Sequence, residues 1–579
     1  MYGWTGKILK VDLTVGRVWR EDIPRELLHA YLGGRGLGVR LLRDRFRLDP
    51  FDPAMPLIFA AGPLCGTAAP ATARMGVVTR SPLTGAVCAT SVGGQFAWRL
   101  KAAGIDALYI VGESKFPVVL AISGESAELL PADYLWGKNI SETMRLLADR
   151  GSVAAIGPAG ENGVLYAGIM MGEGNVSGRG GPGAVMGKKG LKAVVVNGSG
   201  STMVFDQGRF DRAHEDVLRL FRASPIIFGA LGIAEYGTPA LVDLMRQRRM
   251  TPTDNFSKTV FEGSAAYSGP AIRRACRPVN AGCYGCPIQC LKRTPAGESL
   301  PEYEALSHFG ALNGIDSLSA IIRANTICNE LGLDAISAAA TIAVWGEKRG
   351  RFADADEMPA LLTAIALRRG EGELLSLGSR RIAEALGDPG LSMSVKSLEL
   401  PPYDPRGAYG LALAYCTSNH GGCHLAAYPL SHEILRKPVA TDRFSFSGKA
   451  RIIKIAEDTN AAADSLVACR FSFLGASLEE YAELLSAATG LENSPASLNQ
   501  TGERIFLIER YYNCANGFTA DDDQLPGRFH TEPGSSGEGI VIPPIDRKRF
   551  MEELQKYYRM RGLTPEGRFA DLDFLERQP

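Results

Sequence analysis

Ala193-Val-Val-Val196, then no regular pattern until Phe205, then Arg209-Phe-Asp-Arg-Ala-His-Glu-Asp-Val-Leu-Arg-Leu-Phe-Arg-Ala223: across this stretch the chain changes its period. The first run is a short valine-rich block, as in a buried strand. The second repeats apolar residues at i, i+3 and i+4, as in an amphipathic helix. Upstream the strand-like pattern dominates. Ile8-Leu-Lys-Val-Asp-Leu13 and Arg17-Val-Trp-Arg20 alternate around Thr14-Val-Gly16, which predicts a hairpin. Apolar runs follow at 57–61, 75–79, 107–111, 118–123 and 153–156, most of them ending in a glycine-containing turn. Downstream the helical period recurs at 238–250, 304–313, 317–330, 335–348 and 373–386. After Leu398-Glu-Leu-Pro-Pro-Tyr-Asp-Pro405, read as a proline-rich linker or loop, it returns at 449–469, 478–489, 502–514 and 547–561. The pattern predicts an α+β protein: a β-rich domain over residues 1–205, then helical domains over 206–405 and 406–579.

Composition agrees with a globular chain. Of 579 residues, 45% are hydrophobic and 22% charged, a core-forming balance. Lysine plus arginine equals aspartate plus glutamate at 63 each, so no net charge draws the chain to nucleic acid. No apolar run reaches the ~18–20 residues that span a bilayer, so no membrane insertion is expected. The opening Met1-Tyr-Gly-Trp-Thr-Gly-Lys7 has neither a basic segment leading into an apolar one nor a twin arginine, and a cytoplasmic chain is expected.

Eleven cysteines are too few for a disulfide scaffold, but three are bunched as Cys283-Tyr-Gly-Cys286-Pro-Ile-Gln-Cys290. Glycine and proline between them let the backbone curl so that the thiolates converge on one metal centre. This spacing suits an iron–sulfur cluster. Zinc, a redox dithiol and structural cysteines stay open, because three ligands are not four and no second close pair exists.

Glycine-rich, basic segments form a second group. Gly178-Arg-Gly-Gly-Pro-Gly183 matches GxGxxG as a bare string but lacks the following full helix and the downstream acid of a dinucleotide site. What remains is a loop, Gly174-Asn-Val-Ser-Gly-Arg-Gly-Gly181, whose backbone N–H groups and guanidinium suit a phosphate or a polar heterocycle. Gly33-Gly-Arg-Gly-Leu-Gly38 and Ser91-Val-Gly-Gly94 have the same character, and Arg74 lies in Ala71-Thr-Ala-Arg-Met75. Each alone reads as a tight turn; together they suggest a domain that grips a large polar cofactor.

Other residues carry two readings each. Asp334 and Asp464 sit where helices begin or bend, as helix caps or as ligand acceptors. Glu302 and Glu304 in Pro301-Glu-Tyr-Glu304 suit a helix start. Asn419-His-Gly-Gly-Cys-His424 is polar within an apolar neighbourhood, and its histidines suit packing, ligation or acid–base work.

Taken in order, these segments resemble the tungsten-dependent aldehyde:ferredoxin oxidoreductase family over nearly the whole chain. The resemblance rests on Gly33–Gly38, Arg74-Met-Gly-Val-Val-Thr-Arg-Ser-Pro-Leu-Thr84, residues 174–187, the cysteine bunch, Pro301-Glu-Tyr-Glu304, Gly332-Leu-Asp334, Cys423-His424 and residues 464–469. It implies tungsten, or molybdenum in some relatives, held by two pterin cofactors beside one [4Fe–4S] cluster, with a Mg2+ bridge between pterin phosphates as a further expectation. It also implies a β base under the pterins and helical domains closing over them. Cys469 would be the fourth cluster ligand, five residues after a pterin-contacting Asp464. Asp334 would be the matching contact to the other pterin. Arg74 would bridge pterin and cluster, and Ser91, Gly93, Gly94, Asn175, Gly178, Arg179, Gly180 and Gly181 would line the cofactor. Glu304 and His424 would transfer protons.

The implied activity is oxidation of an aldehyde to a carboxylic acid, with electrons leaving to ferredoxin or to a polyferredoxin-like subunit in a hetero-oligomer. The alternatives are a benzoyl-CoA-type reductase on the same scaffold and a non-catalytic iron–sulfur electron-transfer subunit. The family's Glu-x-x-His string before Gly-x-Asp is replaced here by Cys328-Asn-Glu-Leu331, so no iron between two subunits, and no homodimer built on it, is expected.

Overall fold

The computed structural model describes the 579 residues except Glu173 and Leu572. Its strands are β1 (Lys7–Asp12), β2 (Arg17–Asp22), β3 (Leu57–Ala60), β4 (Met75–Arg80), β5 (Val87–Val92), β6 (Ala107–Val111), β7 (Val118–Ser123), β8 (Ser126–Pro131), β9 (Ser152–Ala155), β10 (Ile169–Met171), β11 (Val176–Ser177) and β12 (Leu191–Asn197). They form two six-stranded sheets, ordered β2-β1-β6-β3-β4-β5 and β11-β10-β9-β12-β7-β8. The predicted hairpin is there, with Lys7 opposite Asp22. The β1–β6 and β7–β12 pairs are parallel, and the other pairs in these sheets are antiparallel. Leu9, Phe59, Val77 and Ile110 of the first sheet share one apolar core with Leu120, Ala154, Val194 and Val196 of the second. The inner faces of the two sheets therefore stabilise each other by burial.

The outer face of the first sheet carries a helix, Gly34–Leu41. This corrects the reading of Gly33–Gly38 as a loop with exposed N–H groups. Its glycines serve close packing: a Cβ on Gly38 would stand 2.4 Å from Val78 Cγ2, and one on Gly76 of β4 would stand 2.7 Å from the Gly34 carbonyl carbon. Only hydrogen at these positions lets the helix lie on the strand.

After β12 the chain is mainly helical, with short two-stranded ladders at Val279–Ala281/Leu291–Arg293 and Ser394–Val395/Leu398–Glu399. The helices Ala335–Lys348 and Leu478–Thr489 have the predicted bounds. The predicted 373–386 helix is two, Glu371–Leu375 and Ser379–Ala385, broken at Gly378, whose φ is 90°. The predicted 502–514 helix begins earlier, at Pro495, behind a capping box from Ser494 and Ser497. The helix Glu357–Leu367 was not predicted, because Met-Pro-Ala-Leu-Leu-Thr-Ala-Ile-Ala-Leu is apolar on nearly every side and shows no 3.6-residue period.

The proline-rich 398–405 segment is no linker. Leu398, Glu399, Leu400, Tyr403 and Asp404 are buried, and the segment runs through the interior. Among the described residues no single helix is long and apolar enough to cross a membrane.

Candidate active site

Glu304 lies in the first turn of the helix Tyr303–Phe309, and His424 in the loop after the helix Tyr409–Thr417. The fold brings them together: His424 Nε2 is 3.3 Å from Glu304 Oε1. The Tyr403 hydroxyl donates to the same oxygen at 3.2 Å, so the misread 398–405 segment supplies a site residue. Burial works to raise Glu304, but the hydrogen bond and charge of His424, with help from Tyr403, outweigh it and hold the carboxyl below its ordinary value. His424 Nδ1 is buried without a protein partner.

Glu302, two residues earlier, keeps its side chain accessible to solvent. Burial, then the Glu304 charge, push it up to about 7 against the pull of Arg74.

Arg74 stands between this carboxylate pair and the cysteines. Its Nε donates to Ser91 Oγ at 2.8 Å and its Nη2 to the Ser91 carbonyl at 2.5 Å. Its Nη1 is 4.0 Å from Cys469 Sγ. Burial alone would lower this guanidinium, but Cys469, Cys283, Asp464 and Cys290 together hold it above its ordinary value. Cys283, Cys286, Cys290 and Cys469 are within electrostatic reach of one another, and burial raises the first three thiols.

The hairpin Val279–Ala281/Leu291–Arg293 presents three of these cysteines in its end loop. The fourth comes from a tightly held turn after the helix Lys449–Ser465. Val467 there has a left-handed φ of 56°, strained for a β-branched residue, and the Cys469 N–H donates to the Ala71 carbonyl at 2.9 Å. Among the described residues no three His, Cys, Asp or Glu side chains close tightly enough for a single metal ion. A cubane of iron and sulfur is larger than one ion and holds its thiolates farther apart.

Gly93 and Gly94 pass under the cysteine loop. A Cβ on Gly93 would stand 2.4 Å from Cys283 Sγ and 3.2 Å from Asn175 Oδ1, and the Tyr284 N–H donates to the Gly94 carbonyl at 3.1 Å. Ser91 itself belongs to β5, not to a loop. Gly180 and Gly181 have φ of 83° and 80°, and Gly181 caps the short helix Pro182–Lys188. A Cβ on Gly178 would meet Asp334 Oδ1 at 3.4 Å.

Arg179 reaches across this loop. Its Nη2 donates to the Glu399 carbonyl at 2.5 Å, and its Nε is 3.4 Å from Asp334 Oδ2 without a hydrogen bond. Asp334 caps the helix Ala335–Lys348, accepting from the N–H groups of Ile336 and Ser337 at 3.3 Å each. Asp334 is thus the N-cap of this helix, and it also faces the glycine-rich loop. Asp464 is different: it lies at the end of its helix, where its Oδ2 accepts from Arg470 at 2.6 Å and lies 3.4 Å from Arg35 Nη1.

Arg35, Arg470 and Ser418 escaped the sequence reading, whereas His420 and Asn419 lie in the polar 419–424 stretch it singled out. Arg35 comes from the packing helix Gly34–Leu41 and is locked by Glu509 at 2.7 and 2.6 Å. Arg470 follows Cys469 directly, which was a usable signal. His420 is pushed down to about 4 by burial and by Arg35, and its Nε2 has no partner. Ser418 Oγ, Asn419 Oδ1 and Arg470 Nη1 are likewise buried and unpartnered. Buried polar atoms are normally satisfied. Unpartnered donors and acceptors converging beside Asp464, Arg179 and the cysteines fit a large polar heterocycle that would complete them.

Comparison with known proteins agrees with this arrangement. Residues 8–198 match the family profile "Aldehyde ferredoxin oxidoreductase, N-terminal domain", and residues 212–572 match "Aldehyde ferredoxin oxidoreductase, domains 2 & 3". The chain is 39% identical to the tungsten-containing aldehyde ferredoxin oxidoreductase of Pyrococcus furiosus, with 98% of each chain covered. It is 38% identical to the protein of that name from Thermococcus kodakarensis, again with 98% of each covered. Among solved structures, the BamBC active-site complex of benzoyl coenzyme A reductase superposes with a TM-score of 0.83 at 25% identity, covering 98% of this chain and 96% of that one.

Proposed function

The chain belongs to the aldehyde ferredoxin oxidoreductase family, and from that premise we propose that it oxidises aldehydes to carboxylic acids, RCHO + H2O → RCOOH + 2H+ + 2e−, with ferredoxin taking the electrons one at a time. When bound, a tungsten bis-pterin centre would supply the two-electron oxidation and a [4Fe–4S] cluster the one-electron steps. Cys283, Cys286, Cys290 and Cys469 would hold the cluster. Asp464, through the oxygen its arginines leave free, and Asp334 would accept from pterin ring amines. Arg179 and the 174–181 loop would face pterin phosphate, Ser91, Gly93, Gly94 and Asn175 would line the space beside the cysteines, and Arg74 would link pterin and cluster by hydrogen bonds.

The observation that carries the reaction is the Glu304–His424 pair, set two residues from Glu302, whose carboxyl feels Arg74, which in turn lies against Cys469. Oxidation releases protons, and this pair can take one at the unpartnered His424 Nδ1 while Glu304, on Nε2, stabilises the imidazolium. Tyr403 orients Glu304 through its hydroxyl. The cysteines are free thiols, as in a reducing compartment, and the proposal includes a cytoplasmic location. A hetero-oligomer with a polyferredoxin-like subunit is the further assembly proposed.

The test is a survey of aldehydes with a viologen dye as acceptor, alongside benzoyl-CoA as substrate and elemental analysis. Aldehyde-dependent dye reduction with tungsten or molybdenum present supports the reading. Turnover of benzoyl-CoA alone would move the protein to the reductase of its structural neighbour. Iron without either heavy metal in reconstituted, cluster-loaded protein would leave an electron-transfer subunit.

A further inference from the structure

The cysteine loop 283–290 also builds part of the protein surface. A groove of about 380 Å³ runs beside it, lined by Phe228, Ala230, Glu235, Asn280, Pro287 and Gln289 among others. Large apolar side chains stand exposed in the segments that form it and flank it. Leu231 is 77% exposed, the most exposed large apolar side chain among the described residues, and Val279, Tyr284 and Phe228 are 50%, 42% and 41% exposed. An apolar patch of this kind marks a contact surface.

The patch is firmly built. The Tyr284 ring stacks on Trp98 with centroids 4.0 Å apart and planes 7° from parallel, and the Arg99 guanidinium lies 4.2 Å over the other ring. Lys292 Nζ ties the groove together by donating to the Ala234 carbonyl at 2.9 Å and the Gln289 carbonyl at 3.1 Å.

Its free charge is positive. Glu235, the acid in the groove, is already paired with Arg273. Arg274 and Arg277, at the end of the helix Gly269–Cys276 that leads into the cysteine hairpin, are exposed and form no ion pair with any described residue.

We propose that this surface, formed by Leu231, Val279, Tyr284 and Trp98 with the unpaired arginines 274 and 277, docks a small acidic iron–sulfur protein that collects the electrons. The inference rests on the function proposed above and adds the place of docking. Apolar contact with an acidic fringe is the complement of this face, and electrostatic attraction would steer a carrier of that charge onto it. Electron transfer falls steeply with distance, and here the docked carrier sits over the loop that carries Cys283, Cys286 and Cys290. Each docking removes one electron, so two are needed per aldehyde.

The experiment measures binding of a small acidic [4Fe–4S] ferredoxin to the intact, cluster-loaded protein by biolayer interferometry. Two exposed-site variants are compared with wild type: the double charge reversal Arg274→Glu/Arg277→Glu, and Leu231→Glu. The proposal expects Kd to rise by about tenfold or more in each, with aldehyde-to-viologen turnover within about twofold of wild type because a dye needs no docking face. Unchanged ferredoxin affinity in both variants overturns it. Equal loss of ferredoxin and dye turnover, with Kd unchanged, also overturns it. Wild-type turnover with viologen tests the proposed reaction separately, since affinity is read without any aldehyde.

Discussion

The Nε2 of His424 and the Oε1 of Glu304 lie 3.3 Å apart, although 120 positions of sequence separate them. The pairing joins a helix start to a glycine-flanked loop, and neither residue has another carboxylate–imidazole contact among the described residues. If the pair moves protons for the reaction, His424→Asn and Glu304→Gln should each lower kcat by roughly 10²–10⁴-fold with metal and cluster content intact. Rates near wild type across pH 6–9 in fully loaded variants would assign the protons to solvent instead.

Cluster ligation is read by iron content. Cys469→Ser, like Cys283→Ser, Cys286→Ser or Cys290→Ser, should reduce the content from about four irons per chain or convert the cluster. Cys276→Ser should leave it unchanged, because that thiol packs against the helical core. Cluster loss in Cys276→Ser with retention in Cys469→Ser would reverse the assignment.

Stability should fall in acid through a buried histidine. His308 has the Glu304 and Leu400 carbonyls at 3.0 and 3.2 Å, which favour the charged ring, but burial and Arg179 win and push it down to about 4. The unfolded chain, with an ordinary value near 6.5, then binds more protons between pH 6.5 and 4, so folding stability is lost as pH falls through that window. His308→Asn should lose about 2–3 kcal/mol less than wild type between pH 7 and pH 4.5. Thermal melts across that range, compared pairwise, give the difference; parallel curves would count against it.

Gly38→Ala tests the helix-on-strand packing. The new methyl would press on Val78, whose branched side chain has little freedom to turn away. The expected cost is about 1–3 kcal/mol of stability, seen as a lower midpoint in chemical unfolding. A midpoint equal to wild type would show that the helix can shift.

Much of this was legible in the residues. The change of period at Phe205 separated strands from helices because burial on one face leaves a repeat of two or 3.6 residues. Cys283, Cys286 and Cys290 announced themselves by spacing, and Glu304 and His424 by motif resemblance. Three things were hidden, each for a physical reason. Glu357–Leu367 is apolar almost all round, so it has no face to betray it. Gly33–Gly38 was read as a turn because composition does not distinguish glycine used for close packing from glycine used for a positive φ. Tyr403 and Glu399 lay in a proline-rich segment that looks like a surface linker, and only the tertiary structure buries it beside Glu304.

The turn that carries Cys469 has a consequence for how the protein is made. With Cys469 as the fourth ligand, a nascent chain that has emerged only as far as Cys290 presents three of the cluster thiols and lacks the fourth. The missing one is tethered to Ala71, in a region synthesised far earlier, and it arrives only when most of the chain is complete. The four cluster thiols therefore come together only late in synthesis, once Cys469 has been made. Until then the three early thiols stand open to oxidation and to stray zinc.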